Sequence, residues 1–184
     1  MRMKKIEVKN IEVEIRSFIS QQRYEELLGY FKENAKFVNE DDQETFYLDA
    51  GEDLRIQRSN NYSKIWLKKG KLHDEQREEI EVRFNKEDFE VLEKLFMVLG
   101  YNTSIKWFRK RIVFDWEGIT VMMDDTKGYG CIIELEKMSS LEDQEETLRL
   151  LKEKLQKLDI PLTPKEDFDA KYKYYKDNWQ RLVQ

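Results

Sequence analysis

Charged residues of both signs recur at alternate positions along several short stretches of the chain. The first such stretch carries Glu12, Glu14 and Arg16, which alternate with Val13 and Ile15. Side chains two residues apart lie on the same face of a strand, so the charges share one face and the apolar residues share the other. Grouped carboxylates are the oxygen ligands that Mg2+ and Mn2+ prefer, whereas grouped guanidinium and ammonium groups bind oxyanions.

The same alternation returns on later stretches of the chain. Its acidic members are Glu12, Glu14, Glu79, Glu81, Asp124, Glu134 and Glu136. Its basic members are Arg16, Arg55, Lys64, Lys68, Arg77, Arg83, Arg109 and Arg111. Acids and bases on one face together suit a metal-bound polyphosphate, because each half of that ligand has partners of opposite charge. An open sheet with a solvated face of ion pairs would give the same pattern, so this alternative stays open.

Strands and helices of predictable extent must position these residues. Alternating or β-rich runs predict strands at residues 6–16, 44–48, 53–58, 62–69, 77–84, 105–115, 118–124 and 130–137. Apolar stripes predict helices after Ser20 and at residues 86–99, 142–157 and about 165–182. The helices need apolar strand faces to cover, so the charged faces must point the other way. If about eight strands close into a barrel, the charges line a lumen that should hold something polar and charged.

The final predicted helix has a stripe of large apolar and aromatic side chains. Its members are Phe168, Tyr172, Tyr175, Trp179 and Leu182, near helical spacing. Such a stripe predicts packing against the core. The alternatives are a lid over one barrel end and a dimer contact.

Length, composition and charge exclude several classes of protein. The chain has 184 residues, 40% of them apolar and 39% charged, with a formal net charge of −5. This length favours one domain with a real core. Because no overall basic field is present, we expect no DNA or membrane partner. Any site for a polyanion must therefore be local.

Cysteine, histidine and hydropathy narrow the chemistry and the location further. Single residues of each type, Cys131 and His73, exclude an internal disulfide framework and zinc sites built from several His and Cys. The longest stretch without charged residues, 95–105, is too short and too polar to span a bilayer. The predicted location is the cytoplasm.

An ordered series of motifs resembles a known family. The stretch Glu12-Val13-Glu14-Ile15-Arg16 is similar to the ExExK signature of the CYTH superfamily, the triphosphate tunnel metalloenzymes that include class IV adenylate cyclases and thiamine triphosphatases. Further matches follow in order: Asp53-Leu54-Arg55-Ile56-Gln57, Ile65-Trp66-Leu67-Lys68, Arg77-Glu78-Glu79-Ile80-Glu81, Arg109-Lys110-Arg111, Met123-Asp124-Asp125, Gly128-Tyr129-Gly130 and Ile133-Glu134-Leu135-Glu136. The resemblance spans about residues 6–137 and the helices after them.

The resemblance implies both a fold and a set of residue roles. The fold would be α+β, with a closed eight-stranded antiparallel β-barrel, the triphosphate tunnel, and helices packed outside it. Residues 1–184 would form one domain, with the tunnel core at about 6–137 and C-terminal helices at about 141–184. The implied metal ligands, for Mg2+ or Mn2+, are Glu14, Glu134 and Glu136. The implied catalytic residues are Glu12, Arg16 and Asp124. The implied triphosphate-binding residues are Arg16, Arg55, Lys64, Lys68, Arg109 and Arg111, with Glu79 and Glu81 as further acidic candidates.

Two residues depart from the family pattern. Arg16 stands where the family has lysine, which keeps the charge but replaces a compact ammonium with a planar fork. Gln57 takes the second place of an Arg-x-Arg pair, and the neighbouring Arg58 is predicted to point to the other face. One phosphate contact is therefore expected to be missing or altered.

The predicted activity is hydrolysis of the phosphoanhydride of an inorganic or organic triphosphate. Candidate substrates are tripolyphosphate, thiamine triphosphate and ATP. Hydrolysis requires recognition of phosphates only, whereas cyclisation of ATP to cyclic AMP and pyrophosphate also requires a nucleoside pocket. Class IV adenylate cyclase is the first alternative, and a module that binds a nucleotide or an RNA 5′-triphosphate without turnover is the second. The chain is expected to be a monomer or a homodimer.

Overall fold

The computed structural model describes residues 11–69 and 78–184 of the chain. Its strands are β1 (Ile11–Ile19), β2 (Lys36–Leu48), β3 (Asp53–Arg58), β4 (Ser63–Lys69), β5 (Glu78–Phe84), β6 (Thr103–Trp116), β7 (Ile119–Thr126) and β8 (Gly130–Ser139). Its helices are α1 (Gln21–Asn34), α2 (Phe89–Val98), α3 (Gln144–Lys157) and α4 (Lys165–Leu182), with a short 3-10 turn at Lys86–Asp88 before α2.

The eight strands form one antiparallel sheet. Their order is β1-β8-β7-β6-β2-β3-β4-β5, so hydrogen-bonded neighbours include the first and last strands of the chain. Together with the four helices, this sheet confirms the predicted α+β class. The order has β1 at one end and β5 at the other. Closure of the sheet into a barrel therefore stays a prediction.

The chain divides into two compact units. The first contains the segment that ends at Asn39, together with Ile112–Asp124 and Gly130–Phe168. The second contains Glu40–Arg111, Asp125–Tyr129 and Asp169–Gln184. Each unit is thus built from three separate segments of the chain.

In the first unit, α1 and α3 cover the apolar face of the strands. The core includes Val13 and Ile15 of β1, Ile133 and Leu135 of β8, and from the two helices Leu27, Phe31, Leu151 and Leu155. Helix α1 begins after Ser20, as predicted, because the Ser20 hydroxyl accepts a hydrogen bond from the Arg23 backbone N–H at 3.1 Å. The charged residues of β1 and β8 alternate with the core residues and therefore lie on the opposite face.

In the second unit, α2 packs on the apolar faces of β2 and β3. The core side chains are Phe46, Leu48, Ile56 and Phe89. Gly100 follows the end of α2 with a φ of +92°, and its N–H donates to the Met97 carbonyl at 3.1 Å. A glycine in this left-handed conformation directly after a helix ends it, and α2 ends within two residues of the predicted Leu99.

Strand β2 is longer than the alternation predicts. The prediction covered residues 44–48, whereas the strand extends over Lys36–Leu48. Residues 36–40 are all exposed, so neither face of this part of the strand carries a buried apolar row. A pattern of alternate burial is the signal on which the prediction depends, and this part of β2 has none.

Helix α4 contributes to the packing through its predicted stripe. The ring of Phe168 stacks on Phe18 with centroids 4.3 Å apart. The Tyr175 hydroxyl donates to the Lys106 carbonyl and the Trp179 indole N–H donates to the Ser104 carbonyl, each at 2.8 Å. Neither α4 nor any other helix in the two described ranges combines the length and apolar content needed to cross a membrane.

Candidate active site

Strands β1 and β8 place carboxylates side by side in the first unit. In the register of the two strands, Glu14 lies directly opposite Glu136, and Arg16 lies directly opposite Glu134. Glu12 is two residues along β1 from Glu14 and is therefore a diagonal neighbour of Glu136. We refer to Glu12, Glu14, Glu134 and Glu136 as the acidic cluster.

The members of the acidic cluster repel one another. Burial raises the pKa of Glu136 from 4.5 to about 7, and the charges of Glu12, Glu134 and Glu14, with a hydrogen bond to Glu12, add to the rise. A bound divalent cation would relieve this repulsion, and four carboxylates are a donor set that fits Mg2+ or Mn2+ by its chemistry. Within residues 11–69 and 78–184, however, no three Asp, Glu, His or Cys side chains converge on one point as the ligands of a bound ion would.

Asp124 and Arg16 lie on the same face of the first unit as the acidic cluster. Asp124 is only 3% exposed and follows Met123, a core residue of β7, so its side chain is on the same non-core face as the acidic cluster. The Arg16 guanidinium carbon lies 4.8 Å from the centroid of the Phe168 ring. This cation–π contact fixes the direction of a cation whose β8 neighbour is Glu134.

In the second unit, Arg55 is held by an acid and two aromatic rings. Its Nε and Nη2 donate to the two carboxylate oxygens of Asp53, each at 2.6 Å. Its guanidinium carbon lies 4.2 Å from the Tyr47 ring centroid and 5.6 Å from that of Trp66. Burial opposes the charge of Arg55, but Tyr47 and Asp53 outweigh it, and the pKa of Arg55 rises. Arg55 is therefore a fixed and permanently charged group.

Lys64 on β4 is paired with Glu81 on β5. Its Nζ lies 2.7 Å from one Glu81 carboxylate oxygen, and the Arg83 Nε donates to the other at 2.7 Å. Burial works to raise the pKa of Glu81, but the hydrogen bonds from Lys64 and Arg83 lower it below its ordinary value. Glu81, predicted as a further acidic candidate, is thus the ion-pair partner of two cations.

Arg109 and Arg111 occupy the same face of β6. Ile112 belongs to the core of the first unit. Arg109 and Arg111 are three residues and one residue before it, so their side chains lie on the opposite face of the strand, where both are half-buried. The Arg109 Nε donates to the Gln43 side-chain oxygen at 2.9 Å, and its Nη2 donates to the same atom. Two N–H groups on one edge of the Arg109 guanidinium therefore donate to the same Gln43 oxygen.

The departure at Gln57 has a structural outcome. Gln57 is 5% exposed, and its amide nitrogen donates to the Thr45 hydroxyl at 2.9 Å. Arg58 points to the other face, as predicted, and forms ion pairs with Glu44 and Glu90. The second basic position of this motif is therefore occupied by a neutral amide that already has a partner.

Some predicted site residues fall outside the described part of the chain. Arg77 lies in the range between residues 69 and 78, and the side chains of Lys68 and Glu79 are likewise outside the description. Their predicted roles stay predictions.

Three groups at the site were missed by sequence reasoning. Asp53 is the acid that holds Arg55, and its spacing of two from Arg55 was visible in the motif. Tyr47 contributes a ring to Arg55, and Gln43 an acceptor to Arg109. Gln43 lies just before the predicted run at residues 44–48, so no sequence signal pointed to it.

The chain is similar to several proteins of known name or structure. A protein from Methanocaldococcus jannaschii, named as a candidate adenylate cyclase, MJ0240, is 30% identical over 136 residues, which cover 68% of this chain and 77% of that protein. A conserved hypothetical protein from Pyrococcus furiosus has a TM-score of 0.65 at 25% identity, covering 82% of this chain and 91% of its own. A Hippeastrum protein, HpAC1, has a TM-score of 0.62 at 19% identity, covering 83% and 89% of the two chains. It is described as a candidate adenylyl cyclase with a dominant triphosphatase activity.

The order of motifs and the family comparison agree. The match to the CYTH domain family extends over residues 10–172, which includes β1, β8 and the strands that carry Arg55, Lys64 and Arg109. The chain therefore belongs to the CYTH domain family.

Proposed function

We propose that this CYTH protein is a metal-dependent enzyme that hydrolyses the phosphoanhydride of an inorganic or organic triphosphate. The observation that carries the proposal is the β1–β8 register, which sets Glu14 directly opposite Glu136. Like charges directly opposite each other destabilise a sheet. Such a pair is therefore more consistent with a site that binds a cation than with a purely structural face.

The acidic cluster would supply the ligands for Mg2+ or Mn2+. In the proposed assignment Glu14, Glu134 and Glu136 hold the cation, and Glu12 and Asp124 support them. A divalent cation bound there would neutralise negative charge on the phosphate oxygens. Arg16, held by Phe168, would bind an oxygen of the triphosphate. Its positive charge would also offset the negative charge of Glu134, which lies opposite it.

The cations of the second unit would bind the phosphate oxygens. Arg55, Lys64, Arg109 and Arg111 are the described candidates. Three of them already hold a fixed orientation through Asp53, Glu81 and Gln43. Because the side chains are ordered before the ligand arrives, less conformational entropy is lost on binding. The phosphate oxygens would replace or share these existing partners.

Adenylate cyclase is the second candidate function. It is favoured by the name of the Methanocaldococcus jannaschii relative, which is a candidate adenylate cyclase. Hydrolysis is favoured by the dominant triphosphatase activity described for the Hippeastrum protein, whose likeness to this chain is one of fold. Hydrolysis also needs no nucleoside pocket. The departures at Arg16 and Gln57 are what would support a third candidate, a module that binds without turnover.

Several finer predictions belong to the same proposal. They are the closure of the eight strands into a tunnel, the choice of Mg2+ or Mn2+, a cytoplasmic location, and a monomeric or homodimeric state without DNA or membrane partners. None of them is needed for the experiment that follows.

Phosphorus NMR of the purified protein tests the proposal. Tripolyphosphate, thiamine triphosphate and ATP are offered in parallel with Mg2+ or Mn2+, and we expect orthophosphate from at least one of them. Pyrophosphate with cyclic AMP from ATP would instead establish the cyclase. The variant Glu14→Gln should abolish turnover, whereas Glu33→Gln, an exposed glutamate on α1, should keep it. Full turnover by the Glu14 variant would remove that residue from the proposed metal site.

A further inference from the structure

Trp66 lies beside two cationic side chains of the second unit, Arg55 and Lys64. On β4 it is two residues from Lys64, on the same face of the strand, and in the β3–β4 register it lies directly opposite Arg55. It is 5% exposed, although the preceding Ile65 packs with the core on the other face. A large indole is thus buried on the charged face of the strand.

The indole ring contacts two cations. The Lys64 Nζ lies 4.4 Å from the Trp66 ring centroid, and the Arg55 guanidinium carbon lies 5.6 Å from it. Tryptophan is the strongest aromatic partner for a cation. The ring therefore helps to hold both groups in place, while Asp53 accepts hydrogen bonds from Arg55 and Glu81 accepts one from Lys64.

The Trp66 indole N–H is buried and has no hydrogen-bond acceptor among the residues that the structure describes. Leaving a buried donor without an acceptor costs free energy, and buried tryptophans ordinarily avoid that cost. Trp179 does so here, because its indole N–H donates to the Ser104 carbonyl at 2.8 Å. A phenylalanine at position 66 would offer a ring to the same cations without an unsatisfied donor.

We propose that Trp66 is a substrate-binding residue whose indole N–H donates to a phosphate oxygen. The two neighbouring cations attract an anionic acceptor, and the carboxylates nearby are already bound to Arg55 and Lys64. A phosphoryl group presents several oxygens, so it can accept from Arg55, Lys64 and the indole N–H together. This inference rests on the proposed triphosphate function, and it adds a neutral donor of fixed direction to the cations.

Indole resonances test the contact directly. The chain has four tryptophans, so a 15N-labelled sample should give four indole N–H peaks, which single Trp→Phe variants assign. A nonhydrolysable imido analogue of tripolyphosphate is titrated with Mg2+ present. We expect the Trp66 peak to move downfield, because a hydrogen bond to a phosphate oxygen deshields the proton. The Trp116 peak should move little.

Calorimetry with the same analogue provides the second measurement. Trp66→Phe should weaken binding by about tenfold, the loss expected for one hydrogen bond to a charged acceptor. Trp116→Phe is the matched control, since Trp116 is 4% exposed and belongs to the core of the first unit. It should bind within about twofold of the wild type, a change too small to represent a lost hydrogen bond.

The outcomes separate this inference from the proposed function. Binding heat and shifts of other resonances, without movement of the Trp66 peak, would overturn the inference and leave the triphosphate function standing. Equal affinity of the wild type and Trp66→Phe would do the same. No binding of the analogue by the wild type would overturn the proposed function and the inference with it. The resonance experiment uses the wild type, and the other three Trp→Phe variants assign the Trp66 peak by elimination, so it decides the matter even if Trp66→Phe fails to fold.

Discussion

Glu136 links the stability of the metal-free protein to pH. Its pKa is raised from 4.5 to about 7, mainly by burial and then by its carboxylate neighbours. The folded state therefore binds this proton more tightly than the unfolded chain does. The contribution of Glu136 to stability is fully present below pH 4.5 and is lost as the pH rises through 7.

The variant Glu136→Gln should separate stability from activity. Glutamine mimics the protonated acid, so at pH 8 in EDTA we expect the variant to be more stable than the wild type. After allowance for solvent screening, the expected gain in the free energy of unfolding is on the order of 1 kcal/mol. Near pH 4.5 the gain should vanish. Urea denaturation at both pH values measures it, with Glu33→Gln as the exposed control, and turnover should be lost in the same variant.

If Glu136→Gln and the wild type unfolded at the same urea concentration at pH 8, the mutual repulsion of the acidic cluster would be disproved. A gain that persisted unchanged at pH 4.5 would point instead to better packing of the glutamine. Either result would leave the β1–β8 register intact but would remove the electrostatic reason for a cation at this site.

The ion pair between Asp53 and Arg55 gives a second prediction. Asp53→Asn removes the carboxylate whose two oxygens accept hydrogen bonds from Nε and Nη2 of Arg55. Loss of one partner of a largely buried ion pair should lower the free energy of unfolding by about 3 kcal/mol. If Arg55 binds phosphate, the ligand replaces the missing charge, so tripolyphosphate should raise the melting temperature of the variant more than that of the wild type.

The measurement for Asp53 is a thermal shift with and without tripolyphosphate. Asp177→Asn is the control, because it breaks an exposed ion pair with Lys173 on α4. Its shift by tripolyphosphate should equal that of the wild type. A smaller shift in Asp53→Asn than in the wild type would place Arg55 outside the phosphate site.

For single residues, the face of a charged side chain was predictable and its partner was not. Alternation alone put Glu12, Glu14 and Arg16 on one face of β1. The ion pair of Lys64 with Glu81 depends on the register of β4 against β5, and register follows from turn geometry that no local pattern reports. The unsatisfied indole of Trp66 likewise emerges only from the packed structure.

At the scale of elements, strands and helices with one buried face were the predictable ones. Strands β1, β3 and β8 and helix α1 each show apolar residues at the period of their element. The first part of β2 has no buried row and was missed for that reason. Hydrogen bonding to neighbouring strands can extend a strand beyond its apolar pattern. The sequence of one segment does not show which strands it will pair with, so it cannot predict this extension.

The β7–β8 turn packs closely against the end of α4. Gly128 in this turn has a φ of +73°, and a Cβ there would lie 2.6 Å from the Leu182 Cβ and 2.7 Å from the Leu182 carbonyl oxygen. Gly118 in the β6–β7 turn has a similar φ of +74°, but the nearest atom to its Cβ would be the flexible Lys137 Nζ at 3.6 Å. The two glycines thus differ in crowding and not in backbone conformation.

Alanine at the two positions should separate crowding from backbone strain. Gly118→Ala should lower the free energy of unfolding by about 1 kcal/mol through the left-handed conformation alone. Gly128→Ala should cost about 3 kcal/mol, because the end of α4 must also shift. Chemical denaturation followed by circular dichroism measures both. Equal losses would show that α4 accommodates the new methyl group without cost.

Each compact unit joins distant parts of the chain, the first through its core and the second through hydrogen bonds. In the first unit Val13 and Ile15 pack with Leu151 and Leu155. In the second unit the last segment, Asp169–Gln184, contributes the hydrogen bonds of Tyr175 and Trp179 to β6. Contacts of such long sequence separation form late and slow the folding of a chain.

Interleaved segments have a consequence for biosynthesis. Proteins with contiguous domains can fold one domain while the next is still being translated. Here the core of the first unit requires residues of α3, and the second unit requires residues beyond Phe168. The core of the first unit cannot be completed on the ribosome before α3 has emerged. In the second unit, the hydrogen bonds from α4 to β6 cannot form before Tyr175 and Trp179 have emerged. The apolar face of β1 therefore stays only partly covered until α3 emerges, and a nascent chain with exposed apolar surface is the form that depends on chaperones.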